Sequence, residues 1–157
     1  MNRIFFRLNR LTIYFYTVNE PYGELSNFSK YPFTLGGKYW LTSEHYFQAQ
    51  KFQGTPREEE IRRARSARAA AELGRSRSVP IRVDWEEVKD DVMRTALKAK
   101  FSAYPELQAL LLSTGEEELV ERTTDDYYWG CGTDGTGKNM LGKILMEIRK
   151  ELRSASR

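Results

Sequence analysis

Apolar and polar positions in the first third of the chain indicate short strands joined by turns. Residues 11–18 are β-branched and aromatic, which predicts a strand. Residues 33–40 place Gly36 and Gly37 between apolar flanks, a pattern that predicts a hairpin. Residues 21–28 lie between these two segments, are rich in turn-forming residues, and are expected to form a loop.

The rest of the chain has mainly helical spacing. Asp84, followed by Glu87 three residues later, is expected to cap a helix in a capping box. The apolar pattern predicts helices over residues 43–52, about 58–73, about 86–102 and 105–112, and a last helix with Leu141, Ile144, Leu145, Ile148 and Leu152 on one face.

Together these elements predict an α+β fold, a single mainly helical domain with a small antiparallel sheet. A chain of 157 residues is long enough for one domain with its own core. We place this domain at residues 14–152, with an N-terminal extension at 1–13 and a disordered tail at 153–157.

Composition narrows the classes of protein to consider. Charged residues make up 30% and hydrophobic residues 40%, and no apolar run approaches the ~20 residues of a membrane span. The opening residues lack the features of a secretory signal, so we expect a cytoplasmic protein without membrane partners. One cysteine, Cys131, and one histidine, His45, cannot form a disulfide or a Cys/His zinc cluster, and we expect no metal and no cofactor.

The predicted helix at 43–52 carries an unusual polar stripe. Glu44, Gln48 and Lys51 are four and three residues apart, so they lie along one face. Aromatic residues on the other faces, Phe47 among them, can bury the segment, which favours a cleft for the stripe. The same pattern also fits an ordinary amphipathic helix with a surface Glu and Lys.

Arginines are concentrated between residues 57 and 82, although the net charge is only +3. Such a run is typical of a solvated helix face, and the alternative is anion binding. Arg75 and Arg77 are the best placed for phosphate because they lie just beyond a predicted helix end at Gly74. The others in this stretch are Arg57, Arg62, Arg63, Arg65, Arg68 and Arg82.

A glycine-rich segment over residues 130–139 leads into the last helix. Its spacing resembles a phosphate-binding P-loop, but Asn139 replaces the Ser or Thr that would hold magnesium. Two interpretations stay open: a left-handed turn that starts a helix, or contact with an anion or ribose. Just upstream, Glu121 and the pair Asp125 and Asp126 precede Trp129, an arrangement suited to holding a flat heterocycle and its sugar.

Taken together these segments resemble the YbiA-like family, also called NADAR for its association with NAD and ADP-ribose metabolism. The resemblance is collinear over about residues 14–152. The matching residues are Pro21-Tyr22-Gly23, Ser26-Asn27-Phe28, Trp40, residues 43–52, Gly74-Arg75, Asp84-Trp85, Lys89, Val92-Met93, Lys100-Phe101, Leu119-Val120-Glu121, Asp126, Trp129-Gly130, Asn139 and residues 141–146.

The resemblance implies an N-glycosyl hydrolase that cleaves a C1′–N bond at a ribose. One family activity hydrolyses early intermediates of riboflavin biosynthesis, and another removes ADP-ribose from modified guanine bases. Neither implies a metal or redox cofactor. We therefore expect a small-molecule ribosyl or phosphoribosyl amine as substrate. Nucleic acid is a partner only under the second activity, a non-catalytic NAD or ADP-ribose binding module is the remaining alternative, and the oligomeric state is open.

Reaction chemistry assigns roles to the matching residues. Breaking the bond develops positive charge on the sugar, so we expect Glu44 to be the carboxylate or general base. Lys51 is expected to donate a proton or to attack an opened ribose as an amine. Asp126 is expected to orient the ribose. The expected substrate-binding residues are Asn27, Gln48, Arg75, Trp85, Trp129, Gly130 and Asn139.

Overall fold

The computed structural model describes residues 11–157, which form six α-helices and four strands. In chain order these are β1 (Thr12–Phe15), a 3₁₀ turn (Gly23–Leu25), β2 (Phe33–Leu35), β3 (Lys38–Trp40), α1 (Ser43–Gln50), α2 (Pro56–Arg62), α3 (Ala67–Arg75), α4 (Trp85–Ala103), α5 (Pro105–Ser113), β4 (Glu118–Glu121) and α6 (Met140–Ala155). Most of the expected extension at 1–13 lies outside the described residues, and its last two residues belong to β1.

The predicted hairpin is present. Strands β2 and β3 pair antiparallel, with Phe33 opposite Trp40. Gly36 and Gly37 join them with φ values of 63° and 74°. Two consecutive left-handed residues are typical of a primed turn, whose twist matches that of the flanking strands. The prediction of a mainly helical α+β domain with a small antiparallel sheet is therefore confirmed.

The strand predicted over residues 11–18 is present as β1, but its partner β4 was not predicted. Strands β1 and β4 pair in parallel, with Thr12 opposite Glu118 and Phe15 opposite Glu121. The two strands are far apart in the sequence, so no local turn pattern predicts that they pair. Because the strands are parallel, their carboxyl ends lie at the same edge, the place where open sheets with parallel strands commonly bind ligands.

Helix α1 lies between two apolar cores. On one side Phe47 joins the core built around α4, α5 and α6. On the other side Ala49 packs in the core that includes Trp40 and Ile61. From residue 43 to residue 52 every side chain except that of Tyr46 is buried. The interpretation of this segment as an ordinary surface helix is therefore wrong.

The helix predicted over 58–73 is instead two helices, α2 and α3, separated at residues 63–66. The Ser66 hydroxyl caps α3 by accepting a hydrogen bond from the backbone N–H of Ala69 at 3.1 Å. His45 of α1 fixes the same break, because its Nε2 donates to the Ala64 carbonyl at 2.9 Å. The Thr42 hydroxyl lies 2.7 Å from His45 Nδ1, so both ring nitrogens are engaged.

Two further expectations about helix ends are corrected. Asp84 does not form the expected capping box, because its carboxylate accepts two hydrogen bonds from Arg82 at 2.6 and 2.9 Å. A charge-assisted bidentate pair is stronger than a neutral cap. At the other end of the chain α6 runs to Ala155, so residues 153–155 are helical rather than disordered. Arg153 holds this turn by donating to the Gly115 carbonyl at 2.6 Å.

No helix within residues 11–157 has both the length and the apolar character that crossing a membrane requires.

A buried lysine ties the loop after β1 to α4. Lys100 is fully buried, and its Nζ donates to the carbonyls of Glu24 and Ser26 at 2.6 and 3.0 Å and to Ser29 Oγ at 2.9 Å. Burial lowers the pKa of Lys100 to about 7. Three acceptors match the three N–H groups of an ammonium, so the charge is compensated by hydrogen bonds rather than by an acid.

We predict that Lys100→Met lowers the free energy of unfolding by about 3 kcal/mol, because it removes the ammonium donor from two carbonyls and the Ser29 hydroxyl can then donate to only one of them. Chemical denaturation measures this directly. Lys98→Met is the matched control on the same helix, since Lys98 is exposed and pairs only with Glu151 at the surface, and it should change stability little. Equal stability of the two variants would contradict the structural role of Lys100.

Candidate active site

A cavity of about 770 Å³ opens beside α1. Its walls come from α1, the ends of α3, the start of α4, the loop at residues 26–30, and the segments that follow β1 and β4. The cavity therefore lies at the carboxyl ends of the two parallel strands. Its volume is within the usual range for small-molecule sites.

All predicted site residues except Gly130 and Asn139 line this cavity. They are Asn27, Glu44, Gln48, Lys51, Arg75, Trp85, Asp126 and Trp129. Residues that are distant in the sequence are thus brought together around one space.

The glycine-rich loop has a different position from the one expected. None of residues 130–139, all of which the structure describes, lines the cavity. Asn139 has a left-handed backbone with φ of 53°, and its side chain accepts from the Glu121 N–H at 3.0 Å and donates to the Leu119 carbonyl at 2.8 Å. At Gly130 a Cβ would lie 2.2 Å from Thr123 Oγ1. These residues build the turn before α6, which is the first of the two interpretations left open for this loop, and the expected substrate contacts of Gly130 and Asn139 are corrected.

Glu44 and Gln48 form a hydrogen-bonded pair one helical turn apart. Gln48 Nε2 donates to Glu44 Oε1 at 2.7 Å. Burial raises the pKa of Glu44, although this hydrogen bond and the nearby charges of Lys51 and Arg75 act in the opposite direction. The Glu44 carboxyl therefore holds its proton more tightly than a surface glutamate but stays within reach of cations.

Lys51 is a cation held in an apolar setting. Only 8% of the residue is exposed, and its Nζ lies 5.6 Å from the Phe47 ring centroid and 5.7 Å from that of Trp85. Burial, followed by the charge of Arg77, lowers the pKa of Lys51 to about 8, against the opposing effect of Glu44. A lysine in this range carries a usable fraction of neutral amine near neutral pH.

An aromatic wall faces these groups. Phe47 lies between Trp85 and Trp129, with ring centroids 5.1 Å from each, and Tyr128 packs edge-on against Trp129 at 5.0 Å. Both tryptophans line the cavity, but Trp85 is buried in the core whereas Trp129 is half-buried. This wall gives a flat ring system an apolar surface to pack against.

Asp126 fixes the backbone that carries Tyr128 and Trp129 in that wall. One of its carboxylate oxygens, Oδ1, accepts from the backbone N–H groups of Tyr128 at 2.9 Å and Trp129 at 2.8 Å. The Asp126 carbonyl also accepts a hydrogen bond from the Thr123 hydroxyl at 2.6 Å. Asp126 therefore has a structural role through one oxygen in addition to the ligand contact that we expected.

Glu121 is a site residue that the predicted set omitted. It ends β4, lines the cavity, and has its pKa raised to about 8, by burial first and then by the nearby charges of Asp126 and Glu44. The sequence signal was its place upstream of Asp126 and Trp129, which suggested a ligand contact but no role for Glu121 itself. That role becomes visible only once the pairing of β4 with β1 is known.

The basic residues divide into those that line the cavity and those that do not. Arg68, Arg75 and Lys89 line it, and Lys89 lies 3.8 Å above the Tyr128 ring. Arg77 was expected to bind phosphate, but it donates to the Gly74 carbonyl at 2.8 Å and closes the end of α3. Within the described part of the chain, no group of three or more His, Cys, Asp or Glu side chains is arranged to hold a metal ion.

Comparison with known proteins identifies the family. The sequence pattern of the NADAR domain matches residues 14–153, nearly the whole chain. The chain belongs to the NADAR family. The N-glycosidase YbiA of Escherichia coli is 54% identical over 140 residues, which cover 89% of this chain and 88% of that protein. A riboflavin biosynthesis protein of Vibrio vulnificus is 43% identical over 89% of this chain and 38% of its own length.

The NMR structure of Escherichia coli YbiA superimposes on this NADAR chain with a TM-score of 0.87 at 52% identity, covering 94% of this chain and 88% of that one. The predicted YbiA-like fold is therefore confirmed. The names of the relatives also confirm the prediction of an N-glycosidase.

Gly74 permits the contact between α3 and the polar stripe of α1. A Cβ at Gly74 would lie 1.9 Å from Gln48 Oε1 and 2.9 Å from Gln48 Cβ. We predict that Gly74→Ala lowers the free energy of unfolding by about 1–3 kcal/mol, as overpacking does. This would occur despite the roughly 1 kcal/mol by which alanine is favoured over glycine inside a helix.

Chemical denaturation of a double-mutant cycle tests the cause. In the Gln48→Ala background the obstructing amide is absent and only the Cβ at 2.9 Å remains, so Gly74→Ala should cost much less stability than it does in the wild type. If Gly74→Ala alone is as stable as the wild type, or if it lowers the free energy of unfolding equally in both backgrounds, the proposed packing is contradicted.

Proposed function

We propose that this NADAR-family N-glycosidase hydrolyses the C1′–N bond of a ribosyl or phosphoribosyl amine, with early intermediates of riboflavin biosynthesis as its substrates. One observation carries the proposal: a single partly desolvated cavity brings the carboxyl of Glu44, the amine of Lys51, and an aromatic wall together. The name of the Vibrio vulnificus relative supports the choice of pathway.

The carboxylate role falls to Glu44. As the C1′–N bond lengthens, positive charge develops on the sugar, and a carboxylate in a low-dielectric cavity stabilises that charge more than it would in water. The hydrogen bond from Gln48 holds the Glu44 side chain in one orientation, so little reorganisation is required during the reaction.

Lys51 supplies a second reactive group on the same stripe. Its lowered pKa suits it either to donate a proton or, as the free amine, to attack the C1′ of an opened ribose. The Lys51 side chain makes no hydrogen bond or ion pair with the residues that the structure describes, so its Nζ is available to a ligand.

The remaining residues position the substrate. The pyrimidine packs against Trp129, and Asp126 orients the ribose hydroxyls through the carboxylate oxygen that the backbone of residues 128 and 129 does not engage. Asn27 also lines the cavity, and its Oδ1 accepts a hydrogen bond from Ser43 Oγ at 2.8 Å. Arg75, at the end of α3, takes the 5′-phosphate.

A second candidate function is removal of ADP-ribose from modified guanine. One observation favours this function. Lys89 on α4 lines the cavity in addition to the two arginines on α3, so a further cation can contact a second phosphate. Under this function the protein would also act on nucleic acid.

The experiment that separates these functions is incubation with three compounds in parallel, followed by chromatography of the products. The compounds are a phosphoribosylamino-pyrimidine, ADP-ribosylated guanosine and NAD. We expect release of the aminopyrimidine together with ribose 5-phosphate. Turnover of the guanosine adduct alone would support the second candidate, and ligand binding without any turnover would support a binding module.

We predict that Glu44→Gln and Lys51→Ala each reduce kcat by roughly 10²-fold or more, the usual size of an acid, base or nucleophile contribution. Product release measured at saturating phosphoribosylamino-pyrimidine gives the effect. Thermal unfolding of both variants controls for loss of structure. Variants that keep activity within a few-fold of the wild type would make α1 a scaffold rather than the reacting element.

We predict that Arg75→Ala raises KM for the phosphorylated substrate by about tenfold to 150-fold, equivalent to the ~1.5–3 kcal/mol of a charge-assisted hydrogen bond. The dephosphorylated substrate should be affected much less. Arg63→Ala is the matched control, because Arg63 is an exposed arginine that pairs with Glu59 outside the cavity. Equal losses for both substrates would move Arg75 from the phosphate site to the scaffold.

A further inference from the structure

Glu121 occupies a rigidly held position that the proposed reaction has not used. Its backbone N–H donates to Asn139 Oδ1 at 3.0 Å, and its carbonyl accepts from the N–H groups of Thr123 at 3.0 Å and Cys131 at 2.9 Å. Three contacts on one peptide segment fix where the side chain leaves the strand. The strand end then presents this side chain to the cavity.

Close packing beneath β4 adds to this rigidity. A Cβ at Gly142 would lie 2.1 Å from the Leu119 carbonyl and 2.4 Å from Asn139 Nδ2. Helix α6 therefore approaches the strand as closely as a glycine allows. Asn139, expected from the sequence to contact substrate, instead acts through Glu121.

The Glu121 carboxyl lacks the compensation that Glu44 has. It makes no hydrogen bond or ion pair with the described residues, whereas Glu44 accepts from Gln48. The charges that act most strongly on Glu121 are those of Asp126 and Glu44, and both are negative. The ionisable residues that line the same cavity are Glu44 and Lys51 on α1, Arg68 and Arg75 on α3, Lys89 on α4, Lys30 in the loop before β2, Tyr16 after β1, and Asp125, Asp126 and Tyr128 after β4.

These surroundings separate the two glutamates. Lys51, Arg75 and the Gln48 amide favour the ionised form of Glu44, whereas the charges that act on Glu121 favour its protonated form. Once Glu44 is negative, it disfavours ionisation of Glu121. Pairs of carboxyl groups whose environments push their protonation apart commonly divide into an acid and a base.

We propose that Glu121 is a catalytic residue, the general acid that protonates the departing nitrogen, working with Glu44 on the same substrate. The proton moves from the Glu121 carboxyl to the nitrogen as the C1′–N bond breaks, and the electron pair of that bond stays on the nitrogen. Water then adds to C1′, and its released proton restores Glu121.

This assignment rests on the proposed function and deepens it. The leaving nitrogen needs a proton whether C1′ becomes a cation or is attacked by Lys51. Glu121 therefore takes the proton-donor role, and of the two roles considered for Lys51 the attack on C1′ as a free amine remains.

The test is the ratio of kcat between wild type and Glu121→Gln, measured with a phosphoribosylamino-pyrimidine from about pH 6 to about pH 10. We expect a ratio of roughly 10² at the acidic end, with KM changed by no more than a few-fold. Above about pH 8 the wild type loses the same proton, so the ratio should fall about tenfold per pH unit. Titration of Lys51 affects both proteins and cancels in the ratio.

Glu118→Gln is the matched control. Glu118 is a glutamate of the same strand, but it is exposed and does not line the cavity, so its ratio should stay near one at every pH. An active wild type with a ratio for Glu121→Gln that is near one or independent of pH would overturn the role of Glu121 alone. A wild type that releases no pyrimidine would overturn the proposed function, and this role with it.

Thermal unfolding provides a readout that is independent of activity. The pKa of Glu121 is about 8 in the folded protein and near 4.5 in the unfolded chain, so ionisation removes stability as pH rises between these values. Glutamine stays neutral. Glu121→Gln should therefore unfold at a higher temperature than the wild type at about pH 9, and this difference should shrink toward about pH 4.5. A variant that unfolds below the wild type at about pH 9 would overturn the proposal.

Discussion

The structure depends on the burial of helix α1 between two apolar cores. A helix in that position cannot direct its polar stripe to bulk water, so Glu44, Gln48 and Lys51 must be accommodated by protein groups or by a ligand. The fold meets this demand by leaving a cavity along the stripe and by closing the other sides with aromatic and small residues. Burial of charged groups usually destabilises a fold, and here it also shifts the pKa values of the groups that can react.

Desolvation raises the pKa of acids and lowers the pKa of amines, and groups of both kinds line the cavity. It raises the pKa of Glu44 and of Glu121 and lowers that of Lys51, so all three groups are brought closer to neutral pH. Perturbed groups in a cleft are typical of functional sites, because proton transfer is most efficient when donor and acceptor are closely matched. The parallel pair β1 and β4 contributes by bringing Glu121 opposite α1, a placement that depends on the tertiary fold.

Local patterns in the sequence were sufficient for what is local in the structure. Helical spacing predicted the stripe on α1, and two adjacent glycines predicted the hairpin turn at residues 36 and 37. The capping box at Asp84 was wrong because spacing alone does not register a competing guanidinium two residues earlier. The glycine-rich loop kept two interpretations because glycines signal a tight turn whether or not a ligand is present, and placing Gly130 and Asn139 in the site was wrong. Glu121 was noted beside Trp129 but given no role, because its position opposite α1 depends on a pairing between distant strands.

The central claim is that Glu44 and Glu121, which line one desolvated cavity, lose their protons at different pH values. Carbon-13 NMR of the side-chain carboxyl groups, with glutamate labelled and the signals assigned by Glu44→Gln and Glu121→Gln, measures each titration directly. We predict that the Glu121 signal moves with a midpoint near pH 8 and that the Glu44 signal moves above the ordinary glutamate value of 4.5 but before that of Glu121. Midpoints for both at or below the ordinary glutamate value would contradict the account.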